Sequence, residues 1–347
     1  DCFGNPSSFD HKIGLQAKKG IDHARLEVAT CLAVSPNEVV FTSGGTESNN
    51  LALKGVMQQF KSRGHLAISA VEHSSVLDSA RRLENDGCKV TIIPATPDGE
   101  VTIDAVKNSI QPNTKLVSVM WGNNEVGTMN EIETIAKYCR SKGILIHSDA
   151  SQVLGHIEID ASLVDLLTIT GHKVYGPKGV GALIIRKSIS INPQIVGGKS
   201  HRNLRAGTIN VPSVVGFGKA CSICNIDRSD SIRGIRDLCE SILHKKLSNI
   251  IINGKLSNRL PHISNVQFSQ VGPDFSPAMF SGVACSSGSA CQSGLKDGSH
   301  VLKAMGKTDL EVASTLRLSF GRNTSNEDAK KAANAIVSSI KKATNCV

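Results

Sequence analysis

Aromatic side chains are scarce in this chain: nine Phe, two Tyr and one Trp make up 3% of its 347 residues. The core is therefore expected to be mainly aliphatic. No apolar run approaches the roughly 20 residues that a bilayer-crossing helix needs, so no membrane partner is expected. A disulfide scaffold is also excluded. The ten cysteines lie in a chain too long for one, with no signal peptide at its start, and reduced thiols in a cytosolic or organellar compartment are expected. Cys221-Ser-Ile-Cys224 has no second pair at zinc spacing, so it reads as two thiols on a helix face and no metal site is expected. Lys and Arg total 39 against 30 acidic residues, a net charge of +9. That charge is scattered in short pairs such as Lys18-Lys19, Arg81-Arg82 and Lys330-Lys331, not concentrated as nucleic-acid binding requires. An anionic cofactor or an acidic protein partner suits it better. Apolar content of 40% and charged content of 20% are ordinary for a folded protein and exclude a disordered class.

What is present is a repeating pattern. The spacing predicts a helix over 13–32, a strand over 39–42, a glycine turn at 43–46 and a helix over 47–60. Short aliphatic strands follow at 65–69, 89–93, 116–120, 144–147, 163–170 and 180–186, with helices at 74–85, 103–109 and 132–141. Such alternation predicts a largely parallel sheet covered on both faces. Beyond residue 215 the chain turns more polar and helical. A helix over 232–246 and strands at 266–269 and 316–319 suggest a smaller α+β domain. The length suits two domains, read as 1–215 and 216–347. Asp1 to Pro6 opens on turn residues with no preceding element, so a first segment is expected to be missing.

Several residues carry chemistry. The turn Ser43-Gly44-Gly45-Thr46 stands where a strand feeds a helix, and the first amides of that helix suit a phosphate. Many such connections use glycine for geometry alone. Asp149 is expected at the carboxyl end of a strand, where open α/β sheets bind ligands, although a helix-capping aspartate is common there too. Gln152 follows one turn later. Lys173, in Thr170-Gly171-His172-Lys173, ends another strand within a loop restrained by Tyr175, Pro177 and Gly179. A lysine that can form an imine and an aspartate that can pair with a ring nitrogen are the minimal equipment for pyridoxal phosphate (PLP). His73 is expected at the same sheet edge, its alternative being a capping histidine. Cys291, flanked by Gly and Ser, is a candidate nucleophile more than Cys285 is. Arg317, mid-strand among apolar residues, suits a carboxylate.

Together these motifs resemble the class V aminotransferase-like PLP enzymes, and within them the cysteine desulfurases and selenocysteine lyases. The resemblance rests on residues 3–8, 41–50, Glu72-His73, Asn123-Asn124-Glu125, His147-Ser148-Asp149 with Gln152, and 171–179. Arg205-Ala206-Gly207-Thr208, 286–291 and 317–322 complete it. It implies a PLP-dependent transferase of fold type I, an α/β large domain plus the smaller C-terminal one. Lys173 would carry the cofactor, Asp149 would hold its ring nitrogen protonated, and His73 would stack on the ring and move protons. Thr46 with Gly45, Thr170 and His172 would bind phosphate. Asn124 and Gln152 would contact the ring oxygen or the substrate, and Thr208 the phosphate of a neighbouring subunit, implying a homodimer. Arg317 would bind the substrate carboxylate, and Cys291 would take sulfur or selenium from L-cysteine or L-selenocysteine as a persulfide or selenopersulfide. An acceptor protein, such as one in iron-sulfur cluster assembly, would receive it, in cytoplasm or mitochondria. The family usually begins with a segment containing an Asn-Ala-Thr-like motif, which nothing before Asp1 supplies. The loop Ser200 to Asn203 also departs from the family's glycine-rich form. Transamination, without a task for Cys291, and a non-catalytic scaffold for sulfur transfer are the rival readings.

Overall fold

The computed structural model describes residues 4–61, 63–198, 203–224, 226–269, 271, 275–280, 282–287 and 298–344. Contacts divide the chain into two units. The first comprises Asp1–Ile93, Ile103–Trp121 and Glu131–Asn225; the second comprises Pro94–Thr102, Gly122–Asn130 and Ile226–Val347. A cut between residues 215 and 216 would fall inside a helix, α6 (Val211–Ser222).

The first unit holds β1 (Val39–Thr42), β2 (His65–Ser69), β3 (Lys89–Ile93), β4 (Thr114–Ser118), β5 (Leu145–Asp149), β6 (Leu166–Thr170) and β7 (Gly181–Ile185). They form one sheet in the order β1-β7-β6-β5-β4-β2-β3. β7 is antiparallel to both neighbours, and the pairs from β6 to β3 are parallel. The expected mainly parallel sheet is therefore present. Three strands of this sheet differ by two residues or more from their expected spans: β4 starts at Thr114, β5 runs on to Asp149, and 161–163 form a 3₁₀ turn ahead of β6. In that turn the Asp160 side chain accepts from Ser162 N, so local side-chain bonding replaces ladder pairing.

Helices α1 (Lys12–Cys31), α2 (Gly45–Met57), α3 (Ser74–Asn85), α4 (Ile103–Ser109), α5 (Ile132–Ser141) and α6 accompany the sheet. α2 and α3 bury Leu51, Leu53, Met57, Val76 and Leu83 against Leu66, Ile68, Leu116, Leu166 and Leu183 of the strands. The core is aliphatic, as the scarcity of aromatics requires. α1 lies along α6 so closely that a Cβ on Gly218 would fall 2.6 Å from Ala24 Cα. Cys221 is buried on α6, and its hydrogen bond to the Cys31 thiol is the main cause pushing Cys31 up to about 12. Of the C-x-x-C pair only Cys221 lies on the helix; Cys224 falls two residues beyond its end. The described cysteines are thiols rather than disulfides.

The second unit is built on a three-stranded antiparallel sheet in the order β10 (Thr315–Ser319), β9 (Ile263–Phe268), β8 (Ile250–Ile252). α7 (Ser229–Lys246) and α10 (Asn326–Thr344) supply Ile235, Leu243, Ala333 and Ile336 to a core with Val266, Phe268 and Leu316. The short helices α8 (His300–Ala304) and α9 (Asp309–Ala313) precede β10. Among the described residues, no helix is long and apolar enough to cross a membrane.

Candidate cofactor and substrate site

In the first unit, four strands deliver site residues from their carboxyl ends. β1 leads into the glycine turn, β2 into Glu72 and His73, β5 ends on Asp149, and β6 ends on Thr170. β5 and β6 are parallel neighbours, with Asp149 opposite Thr168 and Ala150 N donating to Thr168 O at 2.9 Å. Thr42 and Thr170 both register on Gly181 of the strand between them. One sheet edge thus gathers residues that are distant in sequence.

The glycine turn owes its shape to Gly44, whose φ of 147° and ψ of −174° only glycine adopts readily. α2 then begins at Gly45, so Gly45 and Thr46 form its first turn, earlier than the expected start at residue 47. The first amides of this helix have no intrahelical acceptor. They border a hollow of about 360 Å³ lined by Ser43, Gly44, Gly45, Thr46, Glu47, His172, Lys178 and Gly179. Glu47 is the one carboxylate there, and it is neutralised: Arg205 Nε donates to its Oε1 at 2.9 Å and Ser43 N to its Oε2 at 2.8 Å. Burial alone would raise Glu47, but these bonds hold it below the usual carboxylate range. The remaining lining favours an anion. A second hollow of about 190 Å³ shares Ser43 and Gly179 and is lined by Arg205, Thr208 and Asn210 among others.

Lys173 stands exposed in a 3₁₀ turn, Gly171–Val174. Gly171 N donates to Val180 O at 3.0 Å and Gly176 N donates to Gly171 O at 2.9 Å, closing the loop. Tyr175 ends it at a φ of 64°. His172 Nδ1 lies 3.2 Å from Thr170 Oγ1, and burial followed by the charges of Lys173 and Lys178 lowers its pKa.

Asp149 is buried and doubly held: its Oδ1 accepts from Ser151 N at 2.9 Å and its Oδ2 from Asn49 Nδ2 at 2.8 Å. His73 caps α3, with Nδ1 accepting from Ser75 N at 3.1 Å, so the capping histidine that the sequence allowed is present. Gln152 is half-buried just beyond Asp149. Glu72, fully buried, accepts at Oε1 from Ser69 Oγ at 2.7 Å and Met120 N at 2.6 Å. Burial is the main cause that pushes it up to about 8.

Sequence reasoning gave no role to Ser151, Asn49 or Lys178. Ser151 Oγ is buried with no hydrogen-bond partner among the described residues, and it lies 3.3 Å from where a Cβ would stand on Gly45. A buried hydroxyl without a partner is costly, and a ligand oxygen at this helix start would satisfy it. The anion hollow, this hydroxyl, the pinned carboxylate and the lysine-bearing turn fit PLP: phosphate at α2, ring nitrogen at Asp149, amine at Lys173. The position of Ser151, two residues past Asp149, was the only available sequence signal.

In the second unit, Arg317 is half-buried on β10 and its Nη1 donates to Asn124 O at 3.1 Å. Ser286 pairs with Arg317 through an isolated bridge, Arg317 N donating to Ser286 O at 2.7 Å. Ser286, five residues before Cys291 in sequence, is therefore tied to the strand that carries the guanidinium. Cys291 itself lies outside the described residues, as do residues 200–202.

A sheet edge that presents an anion cradle, a buried carboxylate and a lysine in one unit has the groups that a PLP enzyme needs. The chain matches the aminotransferase class-V family over residues 1–331 and belongs to it. A cysteine desulfurase IscS of Serratia proteamaculans is 40% identical over 333 residues, covering 94% of this chain and 82% of its own length. The mitosomal cysteine desulfurase of Encephalitozoon cuniculi is also 40% identical, over 351 residues, 98% of this chain and 81% of that one. Among solved structures, a NifS-like protein superposes with a TM-score of 0.88 at 31% identity, covering 99% and 93% of the two chains. SspA in complex with cysteine superposes with a TM-score of 0.83 at 34% identity, covering 92% and 91%.

Proposed function

We propose that this chain is a PLP-dependent cysteine desulfurase, converting L-cysteine to L-alanine and carrying the released sulfur as a persulfide on Cys291. The observation that carries the reading is the doubly hydrogen-bonded Asp149 at the same sheet edge as the Lys173 turn and the glycine turn of α2. When bound, PLP supplies an electron sink for the bonds broken at the substrate carbons. Asp149 keeps a proton on the ring nitrogen, and Thr46, Gly45, Thr170 and His172 hold the phosphate. Lys173 anchors the cofactor and exchanges protons at its Nζ. His73 covers the ring face, and Gln152 and Asn124 orient the ring oxygen and the substrate. Arg317 grips the substrate carboxylate through its planar fork. Cys291, as thiolate, attacks the substrate sulfur and later passes it to an acceptor protein, as in iron-sulfur cluster assembly.

In a homodimer, Thr208 would serve the partner's phosphate site. A cytoplasmic or mitochondrion-derived compartment accords with the mitosomal relative.

The test is an absorbance spectrum and a product assay. The purified protein should show a cofactor band near the visible edge that disappears in Lys173→Ala. It should release alanine from L-cysteine, and Cys291→Ala should abolish this. Turnover of L-cysteine to its 2-oxo acid in place of alanine, unchanged in Cys291→Ala, would indicate transamination. A large preference for L-selenocysteine would indicate a selenocysteine lyase, and failure to retain PLP a scaffold.

A further inference from the structure

We propose that Asn49 is a positioning residue that locks Asp149 and, through Ser75, His73 into one hydrogen-bonded unit. The inference rests on the PLP reading of this site. Asn49 lies on α2 and is 1% exposed. Its Nδ2 stands 2.8 Å from Asp149 Oδ2 and 2.8 Å from Ser75 Oγ. An amide nitrogen has two hydrogens, and both are committed here. The sense of the amide is fixed by electrostatics: turned over, Oδ1 would face a carboxylate oxygen, acceptor against acceptor. Oδ1 has no hydrogen-bond partner among the described residues, so the site tolerates a buried acceptor to obtain two directed donors.

The second arm continues beyond Asn49. Ser75 Oγ accepts from the amide, which leaves its own hydrogen for His73 Nδ1 at 2.8 Å. Ser75 N donates to the same ring nitrogen at 3.1 Å. With Nδ1 occupied as an acceptor, a neutral His73 carries its proton on Nε2, and proton exchange is confined to that edge of the ring. Asp149 Oδ1 is meanwhile held by Ser151 N at 2.9 Å, so Asn49 completes the clamp on the other oxygen. The residue proposed to protonate the cofactor ring and the residue proposed to cover it are thus oriented by one amide that is expected to touch neither cofactor nor substrate.

The experiment measures PLP binding to the cofactor-free full chain by equilibrium dialysis from pH 6 to 9. Unaltered protein is compared with Asn49→Ala, Asn49→Asp and Ser75→Ala, and thermal unfolding is recorded for each. A hydrogen bond to a charged group is lost in Asn49→Ala, so binding should weaken roughly ten- to a hundredfold at every pH. Asn49→Asp keeps the shape but places two carboxylates together, one of which must take a proton. The introduced carboxyl, once protonated, can donate to Asp149 again, so binding by this variant should approach normal at pH 6 and fall steeply as pH rises. Glu72, His147 and His73, the other titratable groups around Asp149, are common to all the proteins, so each ratio to unaltered protein isolates position 49. Ser75→Ala, which cuts only the arm to His73, should weaken binding less than Asn49→Ala. Equal binding by Asn49→Ala and unaltered protein, or parallel pH curves for Asn49→Asp and Asn49→Ala, would overturn the proposal. If unaltered protein fails to retain PLP, the cofactor reading falls. The clamp is then decided by unfolding: with rising pH Asn49→Asp must lose more Tm than unaltered protein and Asn49→Ala lose, and the absence of that excess overturns the clamp.

Discussion

Replacing Glu72 with Gln should leave the protein near its native stability at pH 5 and make it more stable than the native chain at pH 8. The side chain is fully buried; burial pushes it from 4.5 up to about 8, with the charge of Asp149 adding to the rise. Its Oε1 accepts from Ser69 Oγ and Met120 N, and a Gln carbonyl can accept both bonds. Below about 4.5, folded and unfolded chains both hold the proton, and the acid costs nothing. Between about 4.5 and about 8 the fold retains a proton that the unfolded chain releases. Native stability therefore drops by about 1.4 kcal/mol per pH unit, up to roughly 3–5 kcal/mol in all. Gln does not titrate, so the Glu72→Gln variant escapes this loss. At roughly 2 °C per kcal/mol, the two proteins should separate by several degrees. Tm recorded by circular dichroism from pH 5 to 9 would show the curves diverging. Parallel curves would refute a buried, protonated Glu72.

A Cβ on Gly181 would fall 2.7 Å from Ile169 O and 2.9 Å from Gly44 Cα. Gly181→Ala should therefore cost about 2 kcal/mol in urea unfolding by overpacking against rigid backbone. Arg259 grips Glu240 with two bonds, 2.8 and 3.0 Å, in a buried site where Ser264 also donates to Glu240. Arg259→Lys keeps the charge but loses the fork, and should lower stability by about 2 kcal/mol in the same assay. Arg317→Lys should raise KM for L-cysteine more than it lowers kcat, because a single ammonium grips a carboxylate less well than a planar pair of donors.

Much of the fold was legible because the strands of the first unit are nearly continuous aliphatic runs, as buried parallel strands must be. Their ends also carried the legible chemistry: the glycine turn after β1, Asp149 at the close of β5, and Lys173 beyond β6. β8 was not legible, since three isoleucines are too short a run to separate from a loop. α6 hid for another reason: Val211 to Ser222 is apolar on most sides and lacks a polar face to reveal the helical period. Asn49 was invisible as a site residue because its partners lie 26 and 100 positions away. Spacing rules see neighbours along one element, whereas this amide meets its partners only after the sheet has assembled. Ser151 was hidden likewise, its significance depending on the absence of a Cβ at Gly45.

The second unit borrows two short stretches from the middle of the chain, and this matters for how it is made. Leu260 N donates to Gly127 O at 2.8 Å, and Asn265 Nδ2 donates to Glu125 O at 3.1 Å. A fragment beginning at residue 226 would lack both acceptors and leave those donors to water. On a ribosome, residues 94–102 and 122–130 emerge well before the strands they join and must wait for more than a hundred further residues to be synthesised. Such long sequence separation slows folding and lengthens exposure of unfinished surface. Completion of this unit is thus an event of late synthesis, and a chain halted early would carry both stretches without their partners.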